Sequence, residues 1–134
     1  MKNVYLLIFA TFALLIGTAD VEAEESNLTF VGNYDFDNGW AVNVAVSGNY
    51  AYVAELSEGL VILDIEDPAN PTLVDNYDTD GVAKSIAISG NYAYIADGSE
   101  GLVILDIEDP ANPAAVGGRI GAGGDATDVT ISGN

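Results

Sequence analysis

The chain of 134 residues contains no cysteine. That excludes a disulfide framework, a thiolate metal site, a cysteine nucleophile and a cysteine-borne lipid anchor. Histidine is also missing, which removes the commonest general base and the commonest metal ligand. Positive charge is nearly absent: 3 Lys and Arg stand against 21 Asp and Glu, for a net charge of −18 at pH 7. Such a surface repels phosphate backbones and anionic lipid headgroups, so neither nucleic acid nor a membrane is expected as a partner. The charge favours solubility, and a salty or calcium-containing exterior would screen it. Beyond the first residues, no stretch holds a helical period for ten residues, and none approaches the roughly 20 apolar residues of a membrane span.

The start of the chain is of a different kind. Lys2 precedes an apolar run from Val4 to Ile16, and small residues follow at Gly17 to Ala19. With Val21-Glu22-Ala23 as the processing site, residues 1–23 read as a secretory signal peptide, cleaved after Ala23 or, as second choice, after Ala19. The expected location is therefore secreted or cell-surface. Asn27-Leu28-Thr29 is a glycosylation sequon that serves only in a host that modifies exported proteins, so Asn27 is expected to stay unmodified. Residues 24–32 form a lead-in.

What is abundant is repetition. SEGLVILDIEDPANP occurs at Ser57–Pro71 and again, unchanged, at Ser99–Pro113. Ser47-Gly48-Asn49 returns at Ser89 and at Ser132, spacings of 42 and 43 residues. The chain divides into one unit over 33–75, a second over 76–117 and the beginning of a third over 118–134. Each unit holds four short segments, in the first at Ala41 to Val46, Tyr50 to Ala54, Leu60 to Ile65 and Thr72 to Tyr77. Ser-Gly-Asn and Ser-Glu-Gly supply turns between them, and Asp-Pro-Ala-Asn-Pro interrupts any ladder, because proline has no N–H to give. Four strands in about 42 residues, repeated, make the unit of a β-propeller blade. The expected fold is thus all-β, with consecutive four-stranded antiparallel blades. Small residues (Ala41, Ala45, Ala83, Ala87) suit crowded innermost strands, and the unbroken LVILDI suits a third strand buried on both faces.

The motif Leu60-Val61-Ile62-Leu63-Asp64, with its copy at Leu102–Asp106, resembles the namesake of the LVIVD-repeat family, as does the surrounding SGNYAYVA…GL.I.DI.DP.NP. The resemblance runs from about Asn33 to Asn134. It implies a propeller of several blades on an exported or cell-surface protein, and it brings no catalytic signature with it. A more distant likeness is to lactonase-type propellers, some of which are enzymes. Closing a ring takes roughly four to eight blades. The chain is therefore expected to be the N-terminal part of a longer propeller, with assembly of several short chains as the alternative.

Ligands of propellers commonly meet the loops that enter the innermost strands, a fold-level analogy. Here those loops are acidic: Asp35 to Trp40, Asp78 to Gly81, and Gly121 to Asp125. Asp80 and Asp125, then Asp37, are the candidate Ca²⁺ ligands, because calcium takes six to eight oxygens. The competing and favoured reading is that Asp, Asn and Gly simply build turns. Trp40, the one tryptophan, could stack on a sugar ring, although packing under its loop is favoured because Val82 takes its place in the second unit. Tyr50, Tyr52, Tyr92 and Tyr94 recur at strand period and read as blade packing. Asp64 and Asp106 lie in apolar strands, where a carboxylate needs donors. Their identical recurrence points to turn amides rather than acid–base chemistry, and the same holds for Glu66, Asp67, Glu108 and Asp109. Ser47, Ser89 and Ser132 have no histidine to activate them, and the glycines at 117–118 and 121–124 lack the lysine of a phosphate loop. The leading expectation is an exported module that binds a protein or carbohydrate without chemistry of its own. The rivals are the front part of a metal-assisted, lactonase-like hydrolase and a calcium-stabilised structural repeat.

Overall fold

The structure is a computed structural model, and it describes residues 29–37, 39–117, 120–121 and 123–133. The expected signal peptide and the sequon residue Asn27 lie outside them. Two four-stranded antiparallel sheets follow one another, each with its strands in chain order. The first blade holds β1 (Ala41–Ser47), β2 (Tyr50–Glu55), β3 (Gly59–Asp64) and β4 (Thr72–Tyr77). The second holds β5 (Ser85–Ser89), β6 (Tyr92–Ala96), β7 (Leu102–Asp106) and β8 (Ala114–Ala115). No helix occurs among the described residues. The all-β, blade-by-blade expectation is borne out.

The turns explain the regular period. Gly48 and Gly90 open the two-residue hairpin loops with φ of 58° and 56°. The asparagines beside them keep negative φ, so glycine alone supplies the left-handed position, the pattern of a II′ hairpin. Gly59, at the start of β3, has φ 77°, and a Cβ there would lie 2.5 Å from the Tyr77 carbonyl oxygen. No other residue type fits that approach.

The blades face one another, with β5 running beside β1 and β2. Strand alternation sends Tyr52, Ala54, Leu60 and Ile62 into this junction, where they meet Ile86, Ile95 and Leu105 of the second blade. Leu60, Ile62, Ile95 and Leu105 are fully buried, each contributing about 1.5–3 kcal/mol of transfer free energy. The alternate residues Ala51, Val53, Val61 and Leu63 point the other way. They are covered by Tyr34 and Phe36 of the lead-in, whose rings meet edge to face at 5.1 Å.

One expectation needs correction. β3 is buried on both faces, but β7 is not: Leu102 and Ile104 remain half-buried while Val103 and Leu105 are buried. A sheet face is only as dry as its neighbour makes it, and among the described residues no further sheet stands against this one. The fourth strand also differs, with two residues in β8 against six in β4. Ala-Ala-Val-Gly at 114–117 has little of the β-branched character of Thr-Leu-Val-Asp at 72–75.

Candidate functional site

Ala41 pairs with Glu55 and Glu55 with Gly59. The start of the first strand, the end of the second and the start of the third therefore share one end of the blade, and the acidic entry loops open there. Asp37 and Asp80 occupy equivalent places. Each is exposed, with φ of 43° and 64°. Each backbone N–H donates to the aspartate two residues earlier, Asp37 to Asp35 Oδ1 at 3.2 Å and Asp80 to Asp78 Oδ1 at 3.0 Å. These are Asx turns, in which short acidic side chains fold the backbone over themselves.

Asp125 takes a different partner. Its Oδ2 lies 2.9 Å from Lys84 Nζ, with the two side chains 61% and 30% exposed, an ion pair worth about 1 kcal/mol or less in water. Among the described residues no three acidic side chains are gathered where they could hold a metal ion. The structure thus does not bring Asp37, Asp80 and Asp125 together as a calcium cage. It gives them two turns and a salt bridge. Trp40 departs from the expected packing under its loop: it is 50% exposed, as its counterpart Val82 is 42% exposed. An apolar surface therefore stands open on both blades at this end.

Two carboxylates that the sequence reading passed over are the best buried. Glu55 and Asp97 end β2 and follow β6 at equivalent positions, 1% and 0% exposed. Glu55 accepts the Trp40 N–H through Oε1, and the N–H groups of Ser57 at 2.7 Å and Glu58 at 2.5 Å through Oε2. It ties the entry loop to the β2–β3 turn. In the second blade the buried Thr79 hydroxyl donates to Asp97 Oδ1 at 2.6 Å. Phe36 holds the place of Thr79 in the first unit and has no proton to give, so the longer glutamate reaches backbone amides instead. The signal was present in VAEL and IADG, an acid in each unit directly before the turn. β2 runs one residue beyond the expected end at Ala54, and that residue is Glu55.

Asp64 and Asp106 are half-buried rather than buried. Each accepts the N–H two residues on, from Glu66 at 2.8 Å and Glu108 at 2.9 Å. Asp67 accepts the Ala69 N–H at 3.0 Å and the Asn70 side-chain amide at 2.7 Å, and Asp109 does the same with Ala111 and Asn112 at 3.1 and 2.7 Å. The Asn70 amide first, then the Ala69 N–H, hold the Asp67 carboxyl below the usual aspartate range. Burial pushes the Tyr52 hydroxyl above its usual range, with Tyr50 adding to the shift. The repeated carboxylates are thus engaged in building turns.

The LVIVD repeat family model matches residues 38–79 and again residues 80–118. These boundaries cut the same period a few residues later than 33–75 and 76–117. No curated protein and no solved structure matches the chain. With two consecutive matches spanning more than half its length, on two blades of equal topology, the chain belongs to the LVIVD-repeat family.

Proposed function

We propose that the chain is an exported, non-catalytic interaction module that grips a protein or carbohydrate with the loop end of its blades. The observation that carries this reading is the half-exposed Trp40 with Val82 exposed at the equivalent place, beside carboxylates already engaged in turns, a hydroxyl bond and an ion pair. Such a surface offers rigid apolar area on a polar, strongly acidic ground, which suits recognition. Export rests on the signal-peptide pattern of residues 1–23. Binding is expected to be read at a single fluorophore, because Trp40 is the only tryptophan. Its emission should shift when the processed chain is titrated with polysaccharide or envelope protein from its host, and Trp40→Ala should abolish binding with the fold intact by circular dichroism. Binding that persists in Trp40→Ala, or turnover of lactones by the metal-loaded chain, overturns the proposal.

A further inference from the structure

The first blade ends on an open strand edge. β4 is last in the sheet order, and among the described residues no strand pairs with its outer side. The edge lies at the rim, away from the faces on which neighbouring blades stack, so its exposure does not depend on how many blades a ring has. The register decides which groups it presents. In the second blade Leu102 and Ile120 exchange both backbone bonds, at 3.1 and 3.3 Å. Leu102 thus faces outward along the sheet, and the next residue, Val103, faces β6. Leu60 and Val61 hold the same places in the first blade, opposite Tyr77 and Asn76. Val61 therefore turns its N–H and C=O to β2, and Asn76 turns its own to the open side.

That outward N–H is already taken. It donates to Asp75 Oδ1 at 2.9 Å, and the Asn76 side-chain amide donates to Glu58 Oε2 at 3.3 Å. Two carboxylates stand over the edge, one of them on the donor that an added strand would need. A bulge at Val74 lies beside them, since Ile62 pairs with Asp75 but Leu63 with Leu73. The rest of the strand is suited to pairing: Thr72, Leu73, Val74 and Tyr77 are uncharged, and Leu73 is 52% exposed. The second blade has neither the guard nor the need for one. Gly117 stands in the place of Asp75 with φ of 75°, and β8 is two residues long. Acids cover the edge where the edge is long.

We infer that Asp75 and Glu58 hold the outer edge of the first blade closed against strand addition by a second copy. Pairing of two β4 edges would be isologous, about a two-fold axis. It would take the Asn76 N–H from Asp75 and bring the acids of both copies close across the new ladder, where like charges repel. Without the two carboxylates the same edge becomes a pairing site.

The test compares two variants of the processed chain. Asp75→Thr/Glu58→Gln removes both acids from the edge. Glu66→Gln/Glu108→Gln removes as many charges from exposed positions outside β4. In sedimentation velocity the edge variant is expected to associate at a roughly tenfold lower concentration than the parent, and the control to follow the parent. The Asn76 N–H of the edge variant should gain protection from hydrogen exchange as mass grows. Asp75→Asn/Glu58→Gln replaces the edge variant if the latter loses its β signal in circular dichroism. An edge variant that associates no more than the control overturns the inference. So does association that leaves the Asn76 amide exchanging as fast as in dilute solution.

Discussion

Leu60–Asp64 and Leu102–Asp106 spell the same five residues, pair with their second strands in the same register, and end in the same turn. In the first blade both faces of the strand are covered, one by the second blade and the other by Tyr34 and Phe36. In the second blade only the inward face is dry. Identical sequence with unequal burial separates two contributions that usually arrive together. Strand identity, turn type and register come from the local residues, whereas the free energy that each apolar side chain returns is set by what lies opposite.

The sharpest way to break this comparison is to cut the same side chain in both strands. Ile62→Ala is expected to destabilise the chain by about 2–5 kcal/mol, the range for a fully buried isoleucine. Ile104→Ala should cost about half as much or less, because part of its surface is already in water. Urea unfolding of the two variants at low concentration measures the difference. Equal costs would mean that the outward face of the second blade is covered in solution.

The buried acids sharpen the comparison at a second place. Glu55→Ala leaves three N–H groups of one loop end without their acceptor, and Thr79→Val removes a hydroxyl donor from a buried carboxylate. Each is expected to cost about 1–3 kcal/mol, read as a fall in the urea midpoint at constant slope. The two blades thus solve one problem differently, with amides in one and a hydroxyl in the other. Thr79→Phe would copy the first unit's residue into the second, where Asp97 is too short to imitate Glu55, and it should destabilise at least as much as Thr79→Val.

These contrasts also mark what the sequence could tell. Period, strand order, turn positions and the turn role of Asp64, Asp67 and their copies were legible, because each depends on residues a few positions apart. The burial of β7 was not, since Leu102 and Ile104 look the same as Leu60 and Ile62 until the opposing sheet is placed. Nor was the fate of the entry-loop acids. Asp37 and Asp80 could turn the chain or face a cation with the same letters. Only the φ angles and the distances to Asp35 and Asp78 assign them to turns. Trp40 shows the same limit, since its exposure depends on what stands over it. Glu55 and Asp97 needed one further step, the recognition that a recurrent acid inside an apolar segment must find donors.

Where the blades are equal, equal effects are expected. A Cβ at Gly48 or at Gly90 would meet nothing within 4 Å, and the two φ values differ by little, at 58° and 56°. Gly48→Ala and Gly90→Ala should therefore each cost about 1 kcal/mol, the penalty for placing a Cβ in left-handed backbone, and no more. Thermal unfolding of the pair checks it. A much larger loss at Gly90 would show that its loop has a neighbour that Gly48 lacks.

The smallest effect is expected at the proline-rich turns, which are exposed and nearly superimposable in their hydrogen bonds. Asp67→Asn and Asp109→Asn each weaken a side-chain bond of 2.7 Å and a backbone bond of 3.0 or 3.1 Å, in water that supplies replacements, so the two variants should agree and differ little from the parent. The sharper observable is the titration of Asp67 itself. Its bonds to Asn70 and Ala69 favour the carboxylate and lower its pKa from the ordinary 3.8. A group with a depressed pKa in the folded state stabilises that state at pH above its unfolded value, and the contribution fades as pH falls through the folded value. Asp67→Asn should therefore lower stability slightly above about pH 4, leave it unchanged well below, and so flatten the acid limb of the stability curve. Carboxyl chemical shifts of Asp67 followed with pH would measure this directly. A midpoint at or above the ordinary value would mean that the turn, repeated letter for letter in both blades, holds its aspartate by geometry alone.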